Sequence, residues 1–174
     1  MLRAINVLGK RMIKMPELVK LFENLDFQNV QTYIQSGNVI FKTDDGNSSG
    51  VLSMKIEQAI LEKFGFDVAV ILRTPEEIAA AIGNNPFRNP DGSLKENIYI
   101  TFLENEPLSE LSIAINNMAY LPDRFIIKGR EIYIDCAGGY GTTKLSNNFF
   151  ENKLKVRATT RNWKTVNVLS EISG

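Results

Sequence analysis

Hydrophobic spacing along the first half of the chain changes period several times, and each change marks an element. Leu2 to Val7 is a short apolar segment that predicts an opening strand, followed by a basic loop from Gly9 to Lys14. Met15-Pro16-Glu17 then places proline just inside a helix start with an acid in the first turn. Leu18, Leu21, Phe22 and Leu25 recur at helical spacing, so Pro16 to Leu25 reads as an amphipathic helix. The runs Val30–Ile34 and Val39–Phe41 are β-branched or aromatic and flank Gln35-Ser36-Gly37-Asn38, a hairpin signal. Thr43 to Gly50 is polar loop, and Leu52, Ile56, Ala59, Ile60 and Phe64 mark a second helix. Asp67 to Leu72 is a continuous apolar run and reads as a buried strand.

The second half repeats that order. Thr74-Pro75-Glu76-Glu77 opens a connecting helix that carries Ile78, Ala81 and Ile82 and stops at Gly83 to Pro86. Residues 85–96, with Asn89-Pro90-Asp91-Gly92-Ser93, read as a linker. Strand Ile98–Leu103 and helix Pro107–Met118 follow, then a hairpin of Arg124–Ile127 and Glu131–Ile134 around Gly129. Cys136 to Gly141 is a glycine-rich turn, and a helix is expected over Thr142–Leu154. Val156–Thr160 closes the series as a strand, and Asn162–Ile172 is a terminal helix with Val166, Leu169 and Ile172 inward.

The hairpin glycines Gly37 and Gly129 lie about half the chain apart, each preceded by a strand and a proline-started helix. The fold expected is therefore α+β: two ferredoxin-like βαββαβ modules, duplicated in pattern rather than in residue identity and packed together, with extra helices including a C-terminal one. The modules fall at 1–84 and 97–174, separated by the linker 85–96. The alternative is a single unrelated α/β sheet. The topology was expected to make the first and third strands of each module parallel neighbours, with their outgoing loops side by side. Those loops are Asn6–Lys14 with Thr43–Gly50, and Glu104–Pro107 with Cys136–Thr143.

Composition narrows the chemistry. The 174 residues contain no histidine, which excludes Ser-His-Asp and Cys-His catalysis and most zinc sites. Cys136 is the only cysteine, so no internal disulfide forms, which suits a reducing cytoplasm. Twenty basic residues balance twenty acidic ones. That balance supplies no global field toward nucleic acid or an anionic membrane, although a local patch still could. No apolar run approaches the roughly 18 residues of a spanning helix. Neither a membrane nor a nucleic acid is therefore the expected partner, and no metal or cofactor is implied.

The strongest local signal is Cys136-Ala137-Gly138-Gly139-Tyr140-Gly141-Thr142-Thr143-Lys144. Glycines at a strand-to-helix turn expose backbone amides to which phosphate or carboxylate can bind, and the spacing is not that of a Walker A loop. The anion-site candidates are Arg3, Asn6, Gly139, Gly141, Thr142, Thr143, Lys144, Arg161 and Asn162. The bland reading is plain turn chemistry. Arg157 to Lys164 likewise reads either as a phosphate or base site or as a capped helix start with a packed Trp163. Two further readings stay open. One is an enzyme using Lys144 or a carboxylate on a phosphorylated substrate. The other is single-stranded nucleic-acid binding through sheet aromatics Tyr33, Phe41, Phe125 and Tyr133. Cys136 is either a thiol nucleophile or a buried strand-end cysteine.

In order, several stretches resemble a bacterial family known as domain of unknown function 1697. They include Leu2–Val7, Met15–Leu18, Val30–Phe41, Phe64–Val68, Asn85–Phe87, Gly141–Leu145 and Thr159–Val166. The resemblance implies the fold and supplies no reaction. Ala4 and Leu8 stand where that family usually has glycine, which weakens an anion-binding role for the first loop.

Overall fold

The computed structural model describes every residue except Leu8, Arg88, Pro90, Gly92, Leu94, Glu96 and 117–119. Met118 and much of the expected linker thus lie outside the described residues. Among those described there are six helices and two antiparallel sheets, a mixed α+β chain in two compact units. One comprises 1–73 with 172–174, the other 74–171.

In the first unit α1 (Met15–Glu23) starts on its proline and buries Leu18, Leu21 and Phe22. Strands β1 (Gln28–Tyr33) and β2 (Asn38–Lys42) form the expected hairpin, closed by Gly37 at φ +79°. Helix α2 (Ser49–Phe64) is capped by the Ser48 hydroxyl and ends at Gly65 in the left-handed region. Phe22, Phe27 and Phe41 meet ring to ring in a core that also contains Leu2, Ile5, Ile56, Ile60 and Val70.

The expected first and last strands of this module, Leu2–Val7 and Asp67–Leu72, shrink to a single antiparallel bridge, Leu2 to Val70. Ala4 and Asn6 have φ of +52° and +54°, and an L residue in that region cannot continue a strand. The segment stays attached through hydrogen bonds at its start. The Leu2 amide donates to the Gly37 carbonyl at 2.7 Å, and that of Arg3 to Ala69 at 2.9 Å.

The second unit begins with α3 (Pro75–Gly83), whose capping box joins Thr74 and Glu77 reciprocally. This helix was grouped by sequence with the first module, but its partners lie in the second unit. The Tyr133 hydroxyl donates to the Ala81 carbonyl at 2.9 Å, and Arg130 pairs with Glu77. Strand β3 (Ile98–Leu103), α4 (Ser109–Asn116), β4 (Arg124–Lys128), β5 (Glu131–Asp135), α5 (Asn147–Leu154) and β6 (Ala158–Asn162) follow. The sheet order is β4-β5-β3-β6, antiparallel at every junction. The terminal helix α6 (Trp163–Ser173) buries Val166 and Leu169, whereas Ile172, expected inward, is 38% exposed.

In the second module the expectation of parallel first and third strands is overturned, since β3 and β5 pair antiparallel. A crossover through α4 returns β4 in the direction of β3, and the tight hairpin then reverses β5. The loops leaving β3 and β5 therefore sit at opposite ends of the sheet, not side by side.

Candidate functional site

The glycine-rich turn does not open a helix at Thr142. Helix α5 starts at Asn147, and the Ser146 hydroxyl caps it by accepting from the Phe149 amide at 3.3 Å. The intervening residues spend their polar groups locally, which is why the helix starts late. Gly139 sits at φ +81°, and its amide donates to the Cys136 carbonyl at 3.1 Å. The Thr142 hydroxyl donates to the carbonyls of Gly138 and Gly139 at 3.2 and 3.1 Å, as small hydroxyl residues do in turns. Thr142 and Thr143 are thus not helix caps, and Lys144 is not in a first helical turn.

Asp123, which was not singled out by sequence, anchors the turn. One carboxylate oxygen accepts from the Ala137 amide at 3.0 Å, the other from the Thr143 hydroxyl at 2.6 Å. A fixed negative charge against these residues works against an anion there.

A second polar cluster ties the turn to β6. The Tyr140 hydroxyl donates to Thr160 Oγ1 at 3.0 Å while its ring packs 4.9 Å from that of Tyr99. Thr160 Oγ1 also lies 2.7 Å from Thr101 Oγ1 and donates to Asn147 Oδ1 at 2.6 Å. Arg161 next to it is buried and points its guanidinium at its own strand, donating to Thr159 Oγ1 and the Thr160 carbonyl at 2.8 Å each. Burial pulls its pKa down to about 10, with Tyr140 pulling the other way. Asn162 caps α6, accepting from the Thr165 amide at 2.7 Å. This is the capped-helix reading of that segment.

Arg3 and Asn6 belong to the first unit. The Asn6 amide is fully engaged: its nitrogen donates to the carbonyls of Ile13 and Gln35 at 2.9 Å, and its oxygen accepts from the Ile13 amide at 2.8 Å. The candidates Gly139, Gly141, Thr142, Thr143 and Lys144 share one turn, and Arg161 and Asn162 share β6.

Three of the four aromatic residues considered for base stacking have packing partners, and Tyr33 is half-buried on β1. Tyr133 is buried and bonded to Ala81, Phe41 packs on Phe22 and Phe27, and Phe125 lies against Tyr120 and Phe150. Cys136 is buried; desolvation, then the Asp123 charge, pushes its thiol up to about 11. It is therefore protonated at neutral pH and a poor nucleophile. Alkylation by iodoacetamide at pH 7.5 is expected only on unfolding, so mass-shifted protein under native conditions would contradict this placement.

Beyond Asp123 the second unit holds a cavity of about 330 Å³. Its walls are Phe87, Tyr120, Leu121, Phe125 and Ile126, with Asn116, Asp123 and Arg124 supplying polar groups. Arg124 stacks over the Phe87 ring at 5.6 Å and pairs with Asp135 at 2.7 Å. Lys95 reaches the same carboxylate at 3.0 Å, so two cations share one anion. Desolvation alone would raise the Asp135 carboxyl, but hydrogen bonds from Arg124 and Lys95, and their charges, hold it below the usual range. Glu104 is lowered in the same direction by its hydrogen bond from Arg157.

A depressed folded-state pKa contributes stability above the unfolded value near 4, and that contribution is lost as pH falls through the folded value. The melting temperature is expected to drop below about pH 4, and Asp135→Asn should flatten part of that slope. An unchanged acid limb in the variant would count against the pairing.

Little in the sequence pointed to this cavity. Phe87 falls at the expected linker and Phe125 in an expected hairpin strand, and no spacing relates them to Tyr120. Among the described residues no group of three or more Asp, Glu or Cys side chains is placed to hold a metal ion.

The fold and these partners define a small two-unit α+β protein with a largely apolar cavity that carries the ion-paired Arg124 at its rim. The chain belongs to the family described as protein of unknown function (DUF1697), whose model matches residues 1–133. That match ends within β5, ahead of the glycine-rich turn. In structure the chain is similar to the conserved bacterial protein SP0830 from Streptococcus pneumoniae, at 22% identity and a TM-score of 0.70. The likeness covers 99% of this chain and 97% of that one, and at that identity it speaks to the fold. No curated protein matches the chain. No helix among the described residues is long and apolar enough to cross a membrane.

Proposed function

We propose that this protein is a cytoplasmic binding module for a small amphipathic anion. The ligand is a carboxylate or phosphate ester whose apolar body enters the cavity beside β4 and whose charged end meets Arg124. The observation that carries this reading is the pairing of an aromatic-walled space of about 330 Å³ with a half-exposed arginine at its rim. Pockets of this size that are mostly apolar with a few convergent polar groups are the default ligand sites of small proteins. Lys95 and Arg124 are balanced in number by Asp135 and by Asp123, which also lines the cavity, so the reading rests on the position of Arg124 at the rim and not on a net positive charge.

The reading shifts the anion away from the glycine-rich turn. The hydroxyls of Thr142 and Thr143 already have protein partners there, and the Asp123 carboxylate lies against them. Lys144, exposed beside the turn, is left as a secondary contact. The same reading treats both units as ferredoxin-like modules related by duplication, with 85–96 as the connection from α3 to β3 inside the second. The βαββαβ element order and β4-β5-β3-β6 sheet support this for the second unit. The Leu2–Val70 bridge supports it for the first.

The test is a thermal-shift and calorimetric panel of medium-chain and aromatic carboxylates against sugar phosphates and nucleotides. A ligand held at 100 times its Kd should stabilise the protein by about 2.7 kcal/mol. Arg124→Ala should weaken binding of a hit by about tenfold, the range of a charge-assisted hydrogen bond. A panel without a stabilising compound would overturn the proposal, as would a hit indifferent to Arg124.

A further inference from the structure

The first unit ends in a tip that is both apolar and cationic. Val7, Met12 and Ile34 are 50%, 60% and 51% exposed. Lys10, Arg11 and Lys14 are exposed alongside them. Neither residues 6–14 nor residues 33–37 contain an acid, so the local charge is positive although the whole chain is neutral.

Asn6 ties together the backbone segments that carry these side chains. Its amide binds the backbone of Ile13 twice and the Gln35 carbonyl once, at 2.8 to 2.9 Å. Val7, Met12 and Ile34 are the immediate chain neighbours of Asn6, Ile13 and Gln35. Two backbone hydrogen bonds, from Asn6 to Arg11 and from Lys10 to Val7, close the loop. Ile34 holds φ +52°, a region that a β-branched residue rarely enters and that asparagine or glycine would occupy with less strain. An isoleucine kept there while facing solvent is an outlier that packing does not explain, and such outliers cluster at working surfaces.

From this we infer that the tip docks the protein on an anionic lipid surface. The three aliphatic side chains enter the interface, and Lys10, Arg11 and Lys14 lie against the headgroups. The chemistry of the exposed residues selects lipid over single-stranded nucleic acid, which is held chiefly by aromatic stacking. Aliphatic and basic residues interleaved on one surface suit the boundary between headgroup and acyl chain. This is association with a surface and needs no spanning helix. It is also independent of the cavity in the second unit.

The experiment is co-sedimentation of the full chain with large vesicles of phosphatidylcholine alone or mixed with phosphatidylglycerol, at low and physiological salt. Binding is expected only to the mixed vesicles. Each cation near such a surface contributes about a fivefold gain in partition, so Lys10→Ala/Arg11→Ala should lose about 25-fold. Val7→Ser/Met12→Ser should retain binding at low salt and lose it at physiological salt, where screening leaves the apolar contribution to decide. Lys153→Ala/Lys164→Ala removes equal charge elsewhere and should behave as wild type.

All of these sites are exposed, and unchanged melting curves check that the variants fold. Three results would overturn the assignment. The wild type does not pellet with the mixed vesicles; the tip and control variants lose binding alike; or the tip mutations abolish binding to a single-stranded oligonucleotide while vesicles stay unbound.

Discussion

Gly37→Ala is expected to destabilise the first unit by about 3 kcal/mol, lowering its melting transition by roughly 10–20 °C. Two effects add. Gly37 sits at φ +79°, where an L side chain costs about 1–2 kcal/mol. A Cβ built there would also lie 2.8 Å from the Leu2 Cβ and 3.0 Å from two atoms of Ile5. Leu2 and Ile5 are both fully buried, and the Leu2 amide is bonded to the Gly37 carbonyl itself, so neither neighbour can retreat cheaply. Overpacking of that kind costs about 1–3 kcal/mol. Gly129→Ala is the control. Its φ is +57° but nothing lies within 4 Å of an added Cβ, so only the backbone strain of about 1 kcal/mol applies. Calorimetric scans of both variants decide it: equal effects would mean that the close approach of Leu2 carries no weight.

The two glycines look alike in the sequence, and their difference shows what periodicity can carry. Short-range signals were legible. The hairpins, the Thr74 capping box and the Pro16 and Pro75 helix starts all rest on residues a few positions apart. Burial was legible too: Val68, Val70 and Ile71 lie inside as an apolar run predicts, although only Val70 bridges. What failed depended on hydrogen bonds made at a distance or on local competition for them. Asn6 bonds the backbone of Ile13 and Gln35 and holds a left-handed conformation, so the opening strand breaks. Thr143 bonds Asp123, twenty residues earlier, so the expected helix start at Thr142 moves to Asn147. Strand direction in the second sheet follows from connectivity: the crossover through α4 returns β4 in the direction of β3, and the hairpin then sets β5 antiparallel to both.

Several polar residues that stood out as possible ligand contacts also make structural hydrogen bonds. Asn6 closes a loop, Asn162 caps a helix, and the Thr142 hydroxyl closes a turn. Small polar side chains that compete with the backbone for its own hydrogen bonds are enriched at turns and caps, where ligand sites also form. Composition cannot separate those roles; the partner of each hydroxyl or amide can.

Thr160→Val is expected to produce the largest loss in the second unit, about 2–3 kcal/mol, from the removal of one hydroxyl. Thr160 has a single proton, which goes to Asn147 Oδ1 at 2.6 Å. Its lone pairs are therefore left for Tyr140, at 3.0 Å, and for Thr101, which must be the donor in the 2.7 Å contact between the two threonines. Valine has nearly the same shape, so no cavity opens and the loss is electrostatic. Thr101 is fully buried and would keep a donor facing a methyl group, at a cost of about 1–3 kcal/mol. Tyr140 and Asn147 are only half-buried and can turn partly to water, so each adds less. Thr101→Val/Thr160→Val removes both ends of the buried contact and places two β-branched residues opposite each other across β3 and β6. The double variant should therefore recover about 1 kcal/mol relative to Thr160→Val alone. Denaturant titrations of the cycle measure that coupling, and a double variant less stable than the single one would refute the donor assignment. Amide hydrogen exchange gives a second readout. Tyr140 is the turn's link to β6, so exchange across residues 139–145 should quicken in Thr160→Val while the central strand β3 stays protected.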